Sequence, residues 1–190
     1  MKLNEYPDAE MMMMDLGNTI AGELESHLLT NDSVSFAVPG GTTPGPIFDV
    51  LCGAKHIDWA RVHVMLTDER WVPETAIYVP LYGGTATPED SLAILEAGLA
   101  HELPLSVLLL GMGADMHTAS IFPGADKLDE ALHGDALLVP MRAPGAPEPR
   151  ITLSAKVLKG AMSRHIVIIG TEKREALERA KSLSPKEAPI

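Results

Sequence analysis

Three short segments, "SVSFAV" (33–38), "RVHVML" (61–66) and "SVLLLG" (106–111), are apolar almost without interruption. A strand with one wet face alternates apolar and polar residues, whereas a strand covered on both faces has no need to. Amphipathic stretches separate these runs. Residues 8–30 carry Met12, Leu16, Ile20, Leu24 and Leu28 at four-residue spacing, and the quartet "MMMM" (11–14) reads as core packing. "TPGPIFDVLCGA" (43–54) has prolines at its start and Gly53 near its end, and "PEDSLAILEAGLA" (88–100) opens on proline and acids. Two further strand-like runs, "ALLVPM" (136–141) and "RHIVIIG" (164–170), precede a helix over "TEKREALERAKSL" (171–183), and "APGAPEP" (143–149) reads as a loop. Strands alternating with helices predict an α/β fold of three layers, with a mostly parallel central sheet and helices on both faces. Residues 1–190 are expected to form one domain.

In such sheets ligands bind beyond the carboxyl ends of the strands. The polar clusters of the chain fall at those ends: "GGTTP" (40–44), "DER" (68–70), "GMGADMHTAS" (111–120) and "GTEK" (170–173). They are expected to line one pocket. Gly40, Gly41, Thr42 and Thr43 stand between a strand and a helix, where close backbone approach and N–H groups at a helix N-terminus suit an anion. No Gly-Lys-Ser/Thr follows, and "GMGADM" lacks the third glycine of a dinucleotide fingerprint, so no nucleotide cofactor is expected. Arg70 offers a planar fork for phosphate, with Asp68 to hold it or orient water. Lys173, in the first turn of the last helix, makes sense beside an anion, and Arg150 is a further candidate cation.

His117 follows the Gly111-Met112-Gly113 turn, just before an expected helix start, with Asp115 close enough to orient its imidazole. None of the other six histidines has such a setting. A neutral imidazole is a suitable general base near pH 7. No second His or Cys stands at ligand spacing and no H-E-x-x-H occurs, so a metal is not expected. Nor is there a G-x-S-x-G elbow, and Cys52, within an apolar segment, is expected to be buried and inert. Water activated by a base is the simplest scheme.

The formal charge of −11 is spread along the chain without a basic stripe, which argues against a nucleic-acid partner. No apolar run reaches the roughly 20 residues of a membrane span, and Met1 is followed by no secretory pattern. A single cysteine fits a reducing compartment, so a cytoplasmic protein is expected, as a monomer or weak homodimer. If the ligand is an anion, local donors must overcome the global field.

The segments "PGGTTP" (39–44), "DERWVP" (68–73), "GMGADMHTASIFPG" (111–124), "PRITL" (149–153) and, more weakly, "GTEK" together closely resemble the 6-phosphogluconolactonase family, of the glucosamine/galactosamine-6-phosphate isomerase superfamily. The resemblance implies a Rossmann-like α/β domain and hydrolysis of 6-phospho-D-glucono-1,5-lactone to 6-phospho-D-gluconate in the pentose phosphate pathway, without metal or organic cofactor. It implies that His117 activates water with Asp115 nearby, and that Gly41, Thr42, Arg70, Lys173 and Arg150 contact the sugar phosphate. Gly113 is a further expected substrate or phosphate contact, and backbone N–H groups near the glycine turns are the expected oxyanion donors. Two rivals stay open. One is a glucosamine-6-phosphate deaminase-like enzyme, although that family has tyrosine in place of Arg70 and Ile-Ala-Phe-Asn-Glu in place of "TASIFP" (118–123). The other is a non-catalytic sugar-phosphate binder.

The chain departs from the lactonase pattern in three ways. Met116 stands where the family has glycine, so either the backbone there is ordinary or the methionine is strained. The Ser-Asn pair that follows "DERWVP" in the family is absent, which predicts missing residues at Thr75–Ala76. The family pattern also continues past the position of Ile190.

Overall fold

The computed structural model describes residues 2–67, 77–81, 83–144 and 146–190. Its centre is a five-stranded sheet of order β3-β2-β1-β4-β7, every neighbouring pair parallel. The strands are β1 (Val34–Val38), β2 (Val62–Leu66), β3 (Ile77–Val79), β4 (Val107–Gly111) and β7 (Ser163–Val167). The apolar runs are apolar because both faces are covered. Phe36, Val38, Val64, Leu66, Val107 and Leu109 face the layer of α1 (Ala9–Leu28) and α2 (Gly45–Cys52). Ala37, Met65, Leu108 and Leu110 face the opposite layer, with Leu95 and Leu99 of α3 (Pro88–Ala100), α4 (Leu128–His133) and α5 (Ala155–Gly160). Each fully buried Val or Leu contributes roughly 1.5–3 kcal/mol, so these alternating rows fix the register of the sheet.

Asp8 caps α1, its carboxylate accepting from Met11 N–H at 2.7 Å. The helix turns its buried stripe through Met13, Ile20, Ala21, Leu24 and Leu28, with Met12 and Leu16 at its margin. The methionine quartet is therefore only partly core: Met11 and Met14 are exposed. Gly17 lets α2 approach closely, since a Cβ there would meet Val50 Cγ1 at 2.7 Å. Thr87 and Asp90 form a capping box at the start of α3. Cys52, expected to be buried, is exposed at the end of α2, because that helix buries Ile47 and Leu51 on its other side.

The second half departs from a single parallel sheet. The run read as the fourth strand forms β5 (Leu138–Ala143), which pairs antiparallel with β6 (Ala146–Leu153) in a separate two-stranded sheet. The expected loop at 143–149 is thus mostly strand. A connection this short cannot carry a parallel crossover, which needs a dozen or more residues. A backbone bond fastens the hairpin to the body, Leu153 N–H donating to Thr67 O at 3.3 Å, while Ser154 N–H donates to Leu137 O at 3.0 Å and closes the hairpin's own open end. Arg142 of β5 reaches back to Glu89 of α3 at 2.7 and 3.2 Å. The chain then passes through α5 and β7 into α6 (Thr171–Ala180).

Candidate active site

Neighbouring strands lie about 4.8 Å apart, so the ends of β2, β1, β4 and β7 fall within about 15 Å along one edge of the sheet. Gly40 to Thr43 connect β1 to α2 there. Gly41 adopts φ +92, which glycine tolerates and an L-residue resists. Gly41 and Thr42 are exposed, so their backbone faces solvent at the mouth of the edge. Asp68 and Arg70, and with them the junction at Thr75–Ala76, lie outside the described residues.

Beyond β4 the chain folds back on itself. Gly113 N–H donates to His117 O at 2.9 Å, and Met116 N–H donates to Gly113 O at 3.0 Å, closing a tight turn. Inside it the Nδ1–H of His117 donates to Asp115 Oδ1 at 2.5 Å, and the His117 backbone N–H donates to the same oxygen at 3.3 Å. A carboxylate on Nδ1 fixes the tautomer whose Nε2 carries the lone pair. The ring is about one-third exposed and the carboxylate about one-half, at 30% and 54%. Gly113 is there for room: a Cβ would lie 2.2 Å from His117 Nδ1 and 2.3 Å from Asp115 Oδ1.

No helix starts after His117. Met116 and Ala119 take φ values of +68 and +48, and Thr118 and Ile121 form an isolated bridge instead. Left-handed backbone costs a non-glycine residue roughly 1–2 kcal/mol, so the loop is held against a local penalty. Met116 therefore occupies the conformation that glycine would favour. Thr118 anchors the far side, its buried hydroxyl donating to Gly111 O at 2.9 Å.

Phe122, which no sequence pattern singles out, stacks on the His117 ring with centroids 4.2 Å apart and planes at 28°. The guanidinium carbon of Arg150 lies 5.8 Å from the centre of the same phenyl ring. The hairpin delivers Arg150 through β6, and Ser120 N–H donating to Thr152 Oγ1 at 3.1 Å ties that strand to the histidine loop. Four residues separate His117 from Phe122, so their contact needs the Thr118–Ile121 turn, which no periodic pattern announces. Lys173 lies in the first turn of α6, half-buried, after Gly170 at φ +92.

The structure thus brings His117, Asp115, Gly113 and Arg150 together and sets Gly40–Thr43 and Lys173 on the same sheet edge. A cavity of about 410 Å³ opens beside them, between residues 3–9, Met12 and the start of α6. It meets the site only at Gly170 and Thr171, and none of His117, Asp115 and Arg150 lines it. Among the described residues, no group of three His, Cys, Asp or Glu side chains is placed to hold a metal ion.

The sequence profile of the family "Glucosamine-6-phosphate isomerases/6-phosphogluconolactonase" matches residues 7–78 and 75–190. The chain belongs to this family. Within it, the chain is 36% identical over 208 aligned residues to a 6-phosphogluconolactonase of Mesorhizobium japonicum, covering 96% of this chain and 86% of the relative. It is 34% identical over 214 residues to a 6-phosphogluconolactonase of Rhizobium meliloti, covering 100% and 91%. The crystal structure of a 6-phosphogluconolactonase from Shewanella baltica superimposes with a TM-score of 0.90 at 28% identity, over 97% of this chain and 88% of that one. Both sequence alignments are longer than the 190 residues of the chain, so these relatives carry residues with no counterpart here. The family profile, likewise, matches in two stretches that meet at residues 75–78, beside the point where the Ser-Asn pair is missing.

Proposed function

We propose that this protein hydrolyses 6-phospho-D-glucono-1,5-lactone to 6-phospho-D-gluconate using water activated by His117. The observation that carries the reading is the His117–Asp115 pair at 2.5 Å, held at the strand edge with Nε2 directed away from its carboxylate partner. In the proposed reaction Nε2 takes a proton from water as the water oxygen attacks the lactone carbonyl. The C1 oxygen becomes an oxyanion, stabilised by backbone N–H groups near the glycine turns other than that of Gly113, which already donates to His117 O. Collapse of the tetrahedral intermediate breaks the bond between C1 and the ring oxygen, the imidazolium returns its proton to that oxygen, and the C1 carboxylic acid so formed loses its remaining proton to solvent to become the carboxylate. Asp115 stabilises the imidazolium between the two transfers. Lys173, Arg70 and the Gly40–Thr43 loop hold the phosphate, with Arg150 as a further contact, and no cofactor takes part. The family's homologues support the substrate class, and the reading extends to a cytoplasmic monomer or weak homodimer that binds neither nucleic acid nor membrane.

The test is hydrolysis of freshly generated lactone coupled to 6-phosphogluconate dehydrogenase, corrected for the spontaneous reaction, for wild type and His117→Ala. General-base help is typically worth about 10²–10⁴-fold, so the expected loss is at least a hundredfold. An unchanged rate in the variant would discard the mechanism and keep the enzyme. Ammonia release from glucosamine 6-phosphate, or binding of 6-phosphogluconate with no turnover of either substrate, would replace the reading.

A further inference from the structure

We propose that Met116 is a positioning residue that couples the base to the phosphate-binding helix. The proposal rests on the roles given above to His117 and Lys173. Met116 is joined by single peptide bonds to both Asp115 and His117, in a left-handed conformation that a glycine would adopt freely. Its side chain offsets that penalty. Ala114 and Asp115 point to solvent, whereas Met116 is half-buried against an apolar cluster of Met112, Ala176 and Leu177, joined by Ile168 and Ile190.

The composition of that cluster gives the contact its meaning. Met112 leads out of β4 into the histidine loop, and Ile168 leads out of β7 toward α6. Ala176 and Leu177 are the buried residues of α6, three and four positions after Lys173. Residues at those spacings share a helix face, so the face that presents the Lys173 amine at its first turn presents these contacts one turn later. An unbranched thioether fills such an irregular gap well. The Met116 side chain is thus a strut from the peptide between Asp115 and His117 to the helix that holds the phosphate cation.

A strut of this kind changes what phosphate binding can do for the chemistry. Binding energy from a part of the substrate remote from the reacting bond accelerates the reaction only if the two ends are held in fixed relation. With Met116 in place, anchoring the phosphate also sets the carbonyl against His117 Nε2. Without it, the loop and the helix move independently, and phosphate contributes to binding alone.

The experiment measures kcat and KM for wild type, Met116→Gly, Met116→Ala and Met116→Leu on 6-phosphogluconolactone and on glucono-1,5-lactone, which lacks the phosphate, with thermal melts alongside. Met116→Gly and Met116→Ala are expected to lower kcat on the phosphorylated lactone about tenfold, a part of the roughly 10²-fold that a 1 Å misplacement can cost. Their rates on the unphosphorylated lactone change less than about twofold by the same argument. Met116→Leu, which keeps an apolar side chain in the cluster, restores most of the loss. A second readout needs no turnover: inorganic phosphate titrated into wild type shifts the His117 ring signal in NMR, assigned through His117→Ala, and that shift shrinks in Met116→Gly. Equal losses on both lactones, wild-type kinetics in Met116→Gly, or a phosphate response that is absent from wild type or unchanged in the variant would each overturn the proposal. A wild type without lactonase activity would refute the functional reading instead, and the phosphate titration would still judge the coupling.

Discussion

Gly113→Ala is the substitution for which the structure gives the sharpest expectation. It adds one methyl group to an ordinary backbone position, since Gly113 is not among the glycines at positive φ. The new Cβ would meet His117 Nδ1 at 2.2 Å, Asp115 Oδ1 at 2.3 Å and His117 Cε1 at 2.3 Å, all more than 1 Å inside ordinary van der Waals contact. The backbone on one side is pinned by the Gly113–His117 and Met116–Gly113 bonds, so the imidazole and the carboxylate are what must move. Moving them by about 1 Å costs roughly 10²-fold in rate, while KM, set by the phosphate contacts, stays within about threefold on the same argument. The pair is partly exposed, so its displacement leaves no cavity in the core, and the melting temperature is expected to change little. The assay is the coupled lactonase reaction on Gly113→Ala, His117→Ala and the double variant. Because both substitutions disable one device, their effects are not additive: the double variant should be no slower than His117→Ala. A Gly113→Ala enzyme with more than one-third of the wild-type kcat would refute the argument that this pair is the base.

Two further outcomes are expected. Phe122→Leu removes the ring stacked on His117 while keeping an apolar filler. Aromatic pairs are worth about 0.5–1.5 kcal/mol beyond burial, so kcat should fall roughly two- to tenfold, and a wild-type rate would show that Thr118 and Asp115 alone hold the ring. Glu89→Gln tests the clamp between α3 and β5, where the Arg142 guanidinium beside Glu89 holds its carboxyl down to about 2 from 4.5. A lowered carboxylate pKa contributes stability that is present above the unfolded value and lost as pH falls through the folded one. The gap in melting temperature between wild type and variant should therefore be full at pH 5–7, small because both groups are well exposed, and should close between pH 4.5 and about 2. A gap that stays constant across that range would assign the effect to something other than the ion pair.

What could be read from the sequence followed from burial. Val34–Val38 is buried at every position, so its apolar run, broken only by Ser35, announced a strand covered on both faces. The strand ends then gave the edge where Gly41, His117 and Lys173 gather. The hairpin was harder to read. Pro140, Pro144 and Pro149 argue against strands on the usual preferences, yet a two-stranded sheet is all edge and leaves room for residues without an N–H donor. The error was also geometrical, since the few residues between Met141 and Arg150 permit only an antiparallel return. The shape of the histidine loop was not legible. Methionine and alanine carry no local sign of left-handed backbone, so the conformations of Met116 and Ala119 follow from packing and from the bridge between Thr118 and Ile121. The stack of Phe122 on His117 depends on that same turn and was invisible for the same reason.

Asp115 has a second consequence, at the end of the reaction. The lactone carbonyl that enters the site is neutral, but the C1 group that leaves is a carboxylate. It forms beside an imidazole whose other nitrogen is held 2.5 Å from the Asp115 carboxylate, in a protein of formal charge −11. Like charges brought close together disfavour one another. In the proposed mechanism, once His117 has returned its proton and the C1 acid has lost its own to solvent, no positive charge remains on the imidazole to offset that repulsion. On the proposed mechanism the carboxylate that orients the base would also work against retention of the product, and the acidic surface that would slow a phosphorylated substrate on its way in would speed a more highly charged one on its way out.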